Sequence, residues 1–143
     1  MSVDPTMALA PRAYPPLERW RARLAVLAAK ALARRSPSTI VKVLNRISTG
    51  TRPATYAEAS RAREVVTRTS RACASPKGCL PRSIATALLC RSRGSWPTWC
   101  AGVRVLPPFG AHAWVLAEGR PVDEPAPPGY HRVLLQVPRE ATP

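Results

Sequence analysis

Three of the residue types most used in nucleophilic and acid-base chemistry are scarce in this 143-residue chain, which has four cysteines, two histidines and two aspartates. Cys79 has the most suggestive setting of the cysteines. It follows Gly78 and opens a helical pattern, with Pro81 in the first turn, where a missing N–H leaves nothing unpaired. The free N–H groups at a helix start carry partial positive charge, which favours a thiolate. Position alone leaves two readings, an activated nucleophile or a small buried hydrophobe. Cys90 lies near the other end of the same pattern, where the helix dipole disfavours a thiolate, and Cys73 and Cys100 have no comparable setting.

His112 and Asp123 flank "EG", residues 118 and 119, which has the form of a two-residue hairpin loop. That loop sets Ala117 opposite Arg120, Leu116 opposite Pro121 and Trp114 opposite Asp123. His112 and Asp123 then share a face as diagonal neighbours, and Glu124 points the other way. The parity depends on loop length, since one more loop residue exchanges Asp123 for Glu124. A carboxylate on one imidazole nitrogen fixes the tautomer and leaves the other nitrogen to take a proton from a thiol. The alternative is a half-buried strand histidine bonded to a nearby acid. His131 is a second base candidate, with no acidic residue after it in its strand.

Other chemistries find little support. The chain has no G-x-S-x-G, H-E-x-x-H, P-loop or G-x-G-x-x-G motif. Cysteines at 73, 79, 90 and 100 do not have zinc-site spacing, so neither a metal nor a cofactor is expected. Asn45 and Gln136 are the only side-chain amides. An oxyanion would therefore depend on backbone N–H groups, including that of Cys79, or on a Trp indole.

The elements that must position these residues follow from periodicity. Residues 1–16 are proline-rich and form the expected disordered tail. Leu17, Trp20, Leu24, Leu27 and Ala31 recur at three- and four-residue steps and mark an amphipathic helix. A second helix fits 38–48 with Ser38 as its cap. A third runs from the T-x-x-E capping box of Thr55 and Glu58 to about Thr69. The helix from about Cys79 to Ser92 stacks Leu80, Ile84 and Leu88, and Gly94 terminates it. From Trp99 the period falls to two, and "WCAGVRV", "AHAWVLA", "RPVDE" and "YHRVLLQV" predict an antiparallel meander. The fold class is α+β, one domain over 17–143 with a helical part over 17–70 and the remainder over 73–137.

A formal charge of +14 raises a nucleic-acid reading. However, the excess is nearly all arginine in an Ala- and Pro-rich chain, spread from Arg12 to Arg139 without a block of about five or more like charges. An acidic peptide or protein partner suits the charge at least as well. The N-terminal apolar run is interrupted by Lys30 and does not follow a signal-peptide plan, and no segment has a membrane span's length. The cytoplasm is the expected compartment, where disulfides are not.

The ordered set "CLPRSIATALL", "GVRVLPPFGAHAWVLAEGRPVDE" and "YHRVLLQV" resembles the leader peptidase of lasso peptide biosynthesis, a transglutaminase-like cysteine protease family, over about 73–137. The resemblance implies a papain- or transglutaminase-like core with the catalytic Cys at the start of a helix packed on an antiparallel sheet. It puts the nucleophile on Cys79, the base on His112 and the orienting acid on Asp123. The implied task is removal of the leader from a ribosomally made precursor peptide. The implied partners are that precursor, a separate leader-binding protein, and the macrolactam-forming cyclase that acts next. The N-terminal helices match no motif of that family; their arginine-rich faces are either a docking surface or solvated. Two other functions fit the residues: acyl transfer to an amine on the same fold, and a non-catalytic basic peptide-binding module.

Overall fold

The computed structural model describes residues 14–127 and 129–138. The tail expected over 1–16 falls mostly outside them. Of the part described, Tyr14 is buried and its hydroxyl donates to Glu64 at 2.9 Å, and Pro16 already begins the first helix.

Five helices precede most of the sheet. They are α1 (Pro16–Ala33), α2 (Pro37–Ser48), α3 (Tyr56–Thr69), the single turn α4 (Arg71–Ala74) and α5 (Cys79–Arg91). The cap of α2 is Ser36, not Ser38: with Pro37 at the first helical position, the Ser36 hydroxyl accepts the Thr39 N–H. The Thr55–Glu58 capping box of α3 forms as expected, each side chain accepting the other's backbone N–H at 3.1 Å. Arg52 also grips Glu58 with two hydrogen bonds, and these hold the carboxyl down at a pKa of about 2.

α5 is the central helix. α1 and α3 pack against it on one side and the sheet on the other, so its burial is nearly all round: Ser83, Ile84, Ala85, Thr86, Ala87, Leu89 and Cys90 are all buried. The expected stripe of Leu80, Ile84 and Leu88 is only part of this surface, because a helix enclosed by other elements needs no polar face.

The face of α1 is the largest departure from the periodicity argument. Leu17, Trp20, Leu24 and Leu27 are each 60–65% exposed, and the helix instead buries Glu18, Ala22, Ala25, Val26 and Ala29. Alanines let α1 approach α5 and α3 closely. Glu18 is tolerated on that face because Arg61 (3.0 and 3.1 Å) and Arg93 (3.1 Å) both bond its carboxylate, with the Arg61 bonds as the main cause of its lowered pKa.

The strands are β1 (Arg52–Pro53), β2 (Ser95–Trp96), β3 (Thr98–Arg104), β4 (Ala111–Ala117), β5 (Arg120–Pro121) and β6 (His131–Val137). β1 and β2 form a small parallel pair. The other four make an antiparallel sheet in the order β5-β4-β3-β6. The expected meander therefore holds only through β5. The chain then leaves the sheet through a proline-rich loop, and β6 pairs with β3 at the opposite edge. Gly102 sits at a register shift between β3 and β6, where a Cβ would collide with the Arg132 carbonyl. His112 is its cross-strand partner on the other side. No helix of the described residues is long and apolar enough to cross a membrane.

The reversed face of α1 has a direct stability consequence. Ala22→Leu is expected to cost about 1–3 kcal/mol through overpacking, whereas Leu24→Ala should change stability by less than about 0.5 kcal/mol. Urea denaturation checks both; the opposite ranking would mean that the leucine stripe faces the core.

Candidate active site

Gly78 precedes α5 and lies against α4, so close to the Ala72 carbonyl that a Cβ would collide with it. This contact seats the start of α5, and with it Cys79, against β4. Arg82 locks the same corner by donating to the Cys73 and Ser75 carbonyls at 2.9 and 3.1 Å.

β4 offers the thiol a donor because β5 is short. The Glu118–Gly119 loop has both residues at positive φ, and Ala117↔Arg120 and Leu116↔Pro121 pair as the two-residue loop predicts. The last bond on this edge runs from the Val122 N–H to the Val115 carbonyl. Beyond it the edge is open, and the Ala113 N–H bonds the Cys79 sulfur. The thiol also hydrogen-bonds the His112 ring. Cys79 is half-buried, whereas Cys73, Cys90 and Cys100 are buried.

The acid that meets His112 is Glu124 and not Asp123. Nε2 of His112 lies 2.9 Å from Glu124 Oε2, which leaves Nδ1 to the thiol. The register through Pro121 is the expected one, but the alternation stops there: Asp123 adopts φ 50°, a left-handed conformation that breaks the pleat. Its carboxylate turns to α3, accepting from Ser60 Oγ at 2.6 Å and Tyr56 Oη at 3.3 Å, while its N–H donates to the Tyr56 oxygen. Asp123 thus anchors the loop, and Glu124 swings onto the imidazole. Tyr56 ties down the hairpin as well: its N–H donates to Glu118 and its ring lies under the Arg120 guanidinium.

The electrostatics favour the charged forms along this line of thiol, imidazole and carboxylate. The hydrogen bond from His112 is the main reason the Cys79 pKa falls, helped by the Ala113 N–H and opposed by burial. The thiol and then Glu124 raise His112 to about 9. Burial pushes Glu124 up, but the His112 bond and charge, with Arg63 and Arg82 nearby, bring it below the usual carboxylate value. In contrast, burial pushes Cys90 up to about 12.

His131 enters the site through the crossing of β6. Its ring stacks on His112 at 4.6 Å, and Trp114 stacks on the same imidazole at 5.7 Å. Burial first, and then the charge on His112, lowers the pKa of His131, so it serves as a neutral wall. A meander would set β6 beside β5, so local periodicity does not pair this ring with His112; the crossing to the β3 edge does. Trp96 and Trp99 belong to the core, their indoles donating to the Val137 carbonyl and Ser83 Oγ. These two N–H groups are therefore committed elsewhere and do not serve an oxyanion. The Cys79 N–H, in the unpaired first turn of α5, is the better donor. A cleft of about 470 Å³ opens beside His112, Glu124 and His131, with Arg63, Arg82 and Arg104 on its walls. Among the described residues, no group of three or more His, Cys, Asp or Glu is arranged to hold a metal ion.

A half-buried thiol at a helix start, paired with a carboxylate-held imidazole on an antiparallel sheet, is an arrangement suited to thiol-dependent acyl chemistry. The transglutaminase-like superfamily model matches residues 22–136, and the chain belongs to that superfamily. The membership suggests cysteine-protease or acyltransferase-type activity. No curated protein and no solved structure matches the chain.

The ion pair predicts selective alkylation. Iodoacetamide should modify Cys79 ahead of the three buried cysteines, and its rate should persist at pH values below an ordinary thiol's pKa, because the thiolate is already formed there. His112→Ala should move the profile toward higher pH by removing the main stabiliser. Peptide mapping with mass spectrometry reads the result; a pH profile unchanged by His112→Ala would contradict the pair.

Proposed function

We propose that the protein is a cysteine peptidase that removes the leader from a ribosomally made lasso peptide precursor. The single observation that carries peptidase chemistry is the hydrogen-bonded line from Cys79 through His112 to Glu124, built on the one cysteine not fully buried. The precursor as substrate rests on the motif set over 73–137 and not on geometry. The charge and the arginine-walled cleft suit an acidic peptide.

In this mechanism the Cys79 thiolate attacks the scissile carbonyl, and the oxygen takes the electron pair beside the first-turn N–H groups of α5. As the C–N bond breaks, His112 gives its proton to the departing amine, and the acyl group remains on sulfur as a thioester. His112, now neutral, takes a proton from water, and the resulting hydroxide attacks the thioester. The sulfur leaves as thiolate, restoring the ion pair and releasing the leader's new carboxylate. Glu124 keeps the imidazole oriented throughout and stabilises its charged form before amine departure and again after water has given up its proton. A separate leader-binding protein presents the precursor, the macrolactam-forming cyclase takes the product, and the reaction is placed in the cytoplasm.

Acyl transfer uses the same thioester with an amine in place of water. Mass spectrometry of a precursor incubated with the leader-binding protein and enzyme separates the two. Free leader and free core with wild type, and neither with Cys79→Ala, are the expected result. A leader–amine conjugate would replace hydrolysis with transfer, and cleavage by Cys79→Ala at the wild-type rate would overturn the mechanism.

A further inference from the structure

The outward face of α1 carries Leu17, Trp20, Leu24 and Leu27 in one row, each more than half exposed. Over these positions the helix rises about 15 Å, long enough for about three turns of a partner helix to lie along it. Apolar side chains left open in a continuous row mark a recognition surface more often than chance exposure, and Trp is the residue type most enriched where binding energy concentrates.

The charge around the row is of one sign. Arg23, Lys30 and Arg34 are exposed and follow its edge at helical spacing. The only carboxylate on α1, Glu18, is buried on the opposite side and held by Arg61 and Arg93. A groove of about 490 Å³ runs beside the row between α1 and the α3–α4 junction, and its lining includes Leu27, Arg23, Lys30 and Arg71 but no acid. Arg23 already lies over the Trp20 ring, at 5.6 Å from its centre.

We propose that this face docks an acidic amphipathic helix of another protein, whose apolar side chains pack on the row and whose carboxylates meet Arg23, Lys30 and Arg71. A second copy of the chain fits poorly. A two-fold pairing through α1 sets like cations against one another in a chain of net charge +14. A flat lipid surface satisfies the row but leaves the groove empty, whereas a helix ridge fills it. The docking surface is independent of cleavage, and the test reads binding without turnover.

The probe is a designed helical peptide of about four turns with leucines on one face and glutamates elsewhere. Controls are the same peptide with lysine for glutamate, and phosphatidylglycerol vesicles. Fluorescence anisotropy with the full chain should show binding that weakens with salt and is at least tenfold weaker for the lysine peptide. Leu24→Ser and Lys30→Glu should each weaken it severalfold while leaving the melting temperature unchanged. Equal affinity for both peptides, or no binding to the acidic one, overturns the proposal. So does vesicle binding abolished by Leu24→Ser without peptide binding, which assigns the face to lipid. Concentration-dependent dimerisation abolished by Leu24→Ser in sedimentation overturns it too, assigning the face to a second copy.

Discussion

The outer edge of β4 stops pairing at Val115, and the geometry of the site depends on that early end. Were β5 to continue in register, its backbone would occupy the Ala113 N–H that now bonds the Cys79 sulfur, and Asp123 would follow the pleat onto the His112 face. Instead Asp123 turns left-handed and is fastened to Tyr56 and Ser60 on α3. One residue's conformation thus frees a donor for the thiol and delivers a different carboxylate to the imidazole. α3, which contributes no group to the chemistry, fixes the geometry of the acid.

The same economy governs the crossing to β6. A proline-rich loop carries the chain over the site to the far edge of the sheet, which brings His131 onto His112 and builds one wall of the cleft. His112 then lies in a cluster of three rings, with His131 and Trp114 5.3 Å from one another beside it, a thiol on one nitrogen and a carboxylate on the other. Such an environment would strongly penalise an isolated imidazolium, yet the two anionic neighbours keep it charged. Tight packing and charge are compatible here only because the partners arrive together.

Much of this was legible in the sequence where local rules apply. The capping box at Thr55, the start of α5 at Cys79 and the two-residue turn at Glu118–Gly119 are set by neighbouring residues, and all three form as expected. The acid was misplaced by one residue because alternation was extended beyond Pro121, where tertiary bonds to α3 override it. Pro121 itself limits how far a ladder can run, a signal consistent with the outcome. The edge chosen by β6 depends on a long connection and has no local signature. The face of α1 was reversed for a related reason: hydrophobic periodicity finds the largest apolar residues, whereas close helix packing selected the alanines and a doubly bonded glutamate.

The central claim is that Glu124, and not Asp123, holds His112 as an imidazolium beside the Cys79 thiolate. NMR titration of the His112 ring in wild type, Glu124→Gln and Asp123→Asn tests it most directly. Wild type should titrate at about 9, and Glu124→Gln should lower that value by about one unit or more. Asp123→Asn, which can still bond Tyr56 and Ser60, should leave it nearly unchanged. A fall in Asp123→Asn with none in Glu124→Gln would contradict the account and return the orienting role to Asp123.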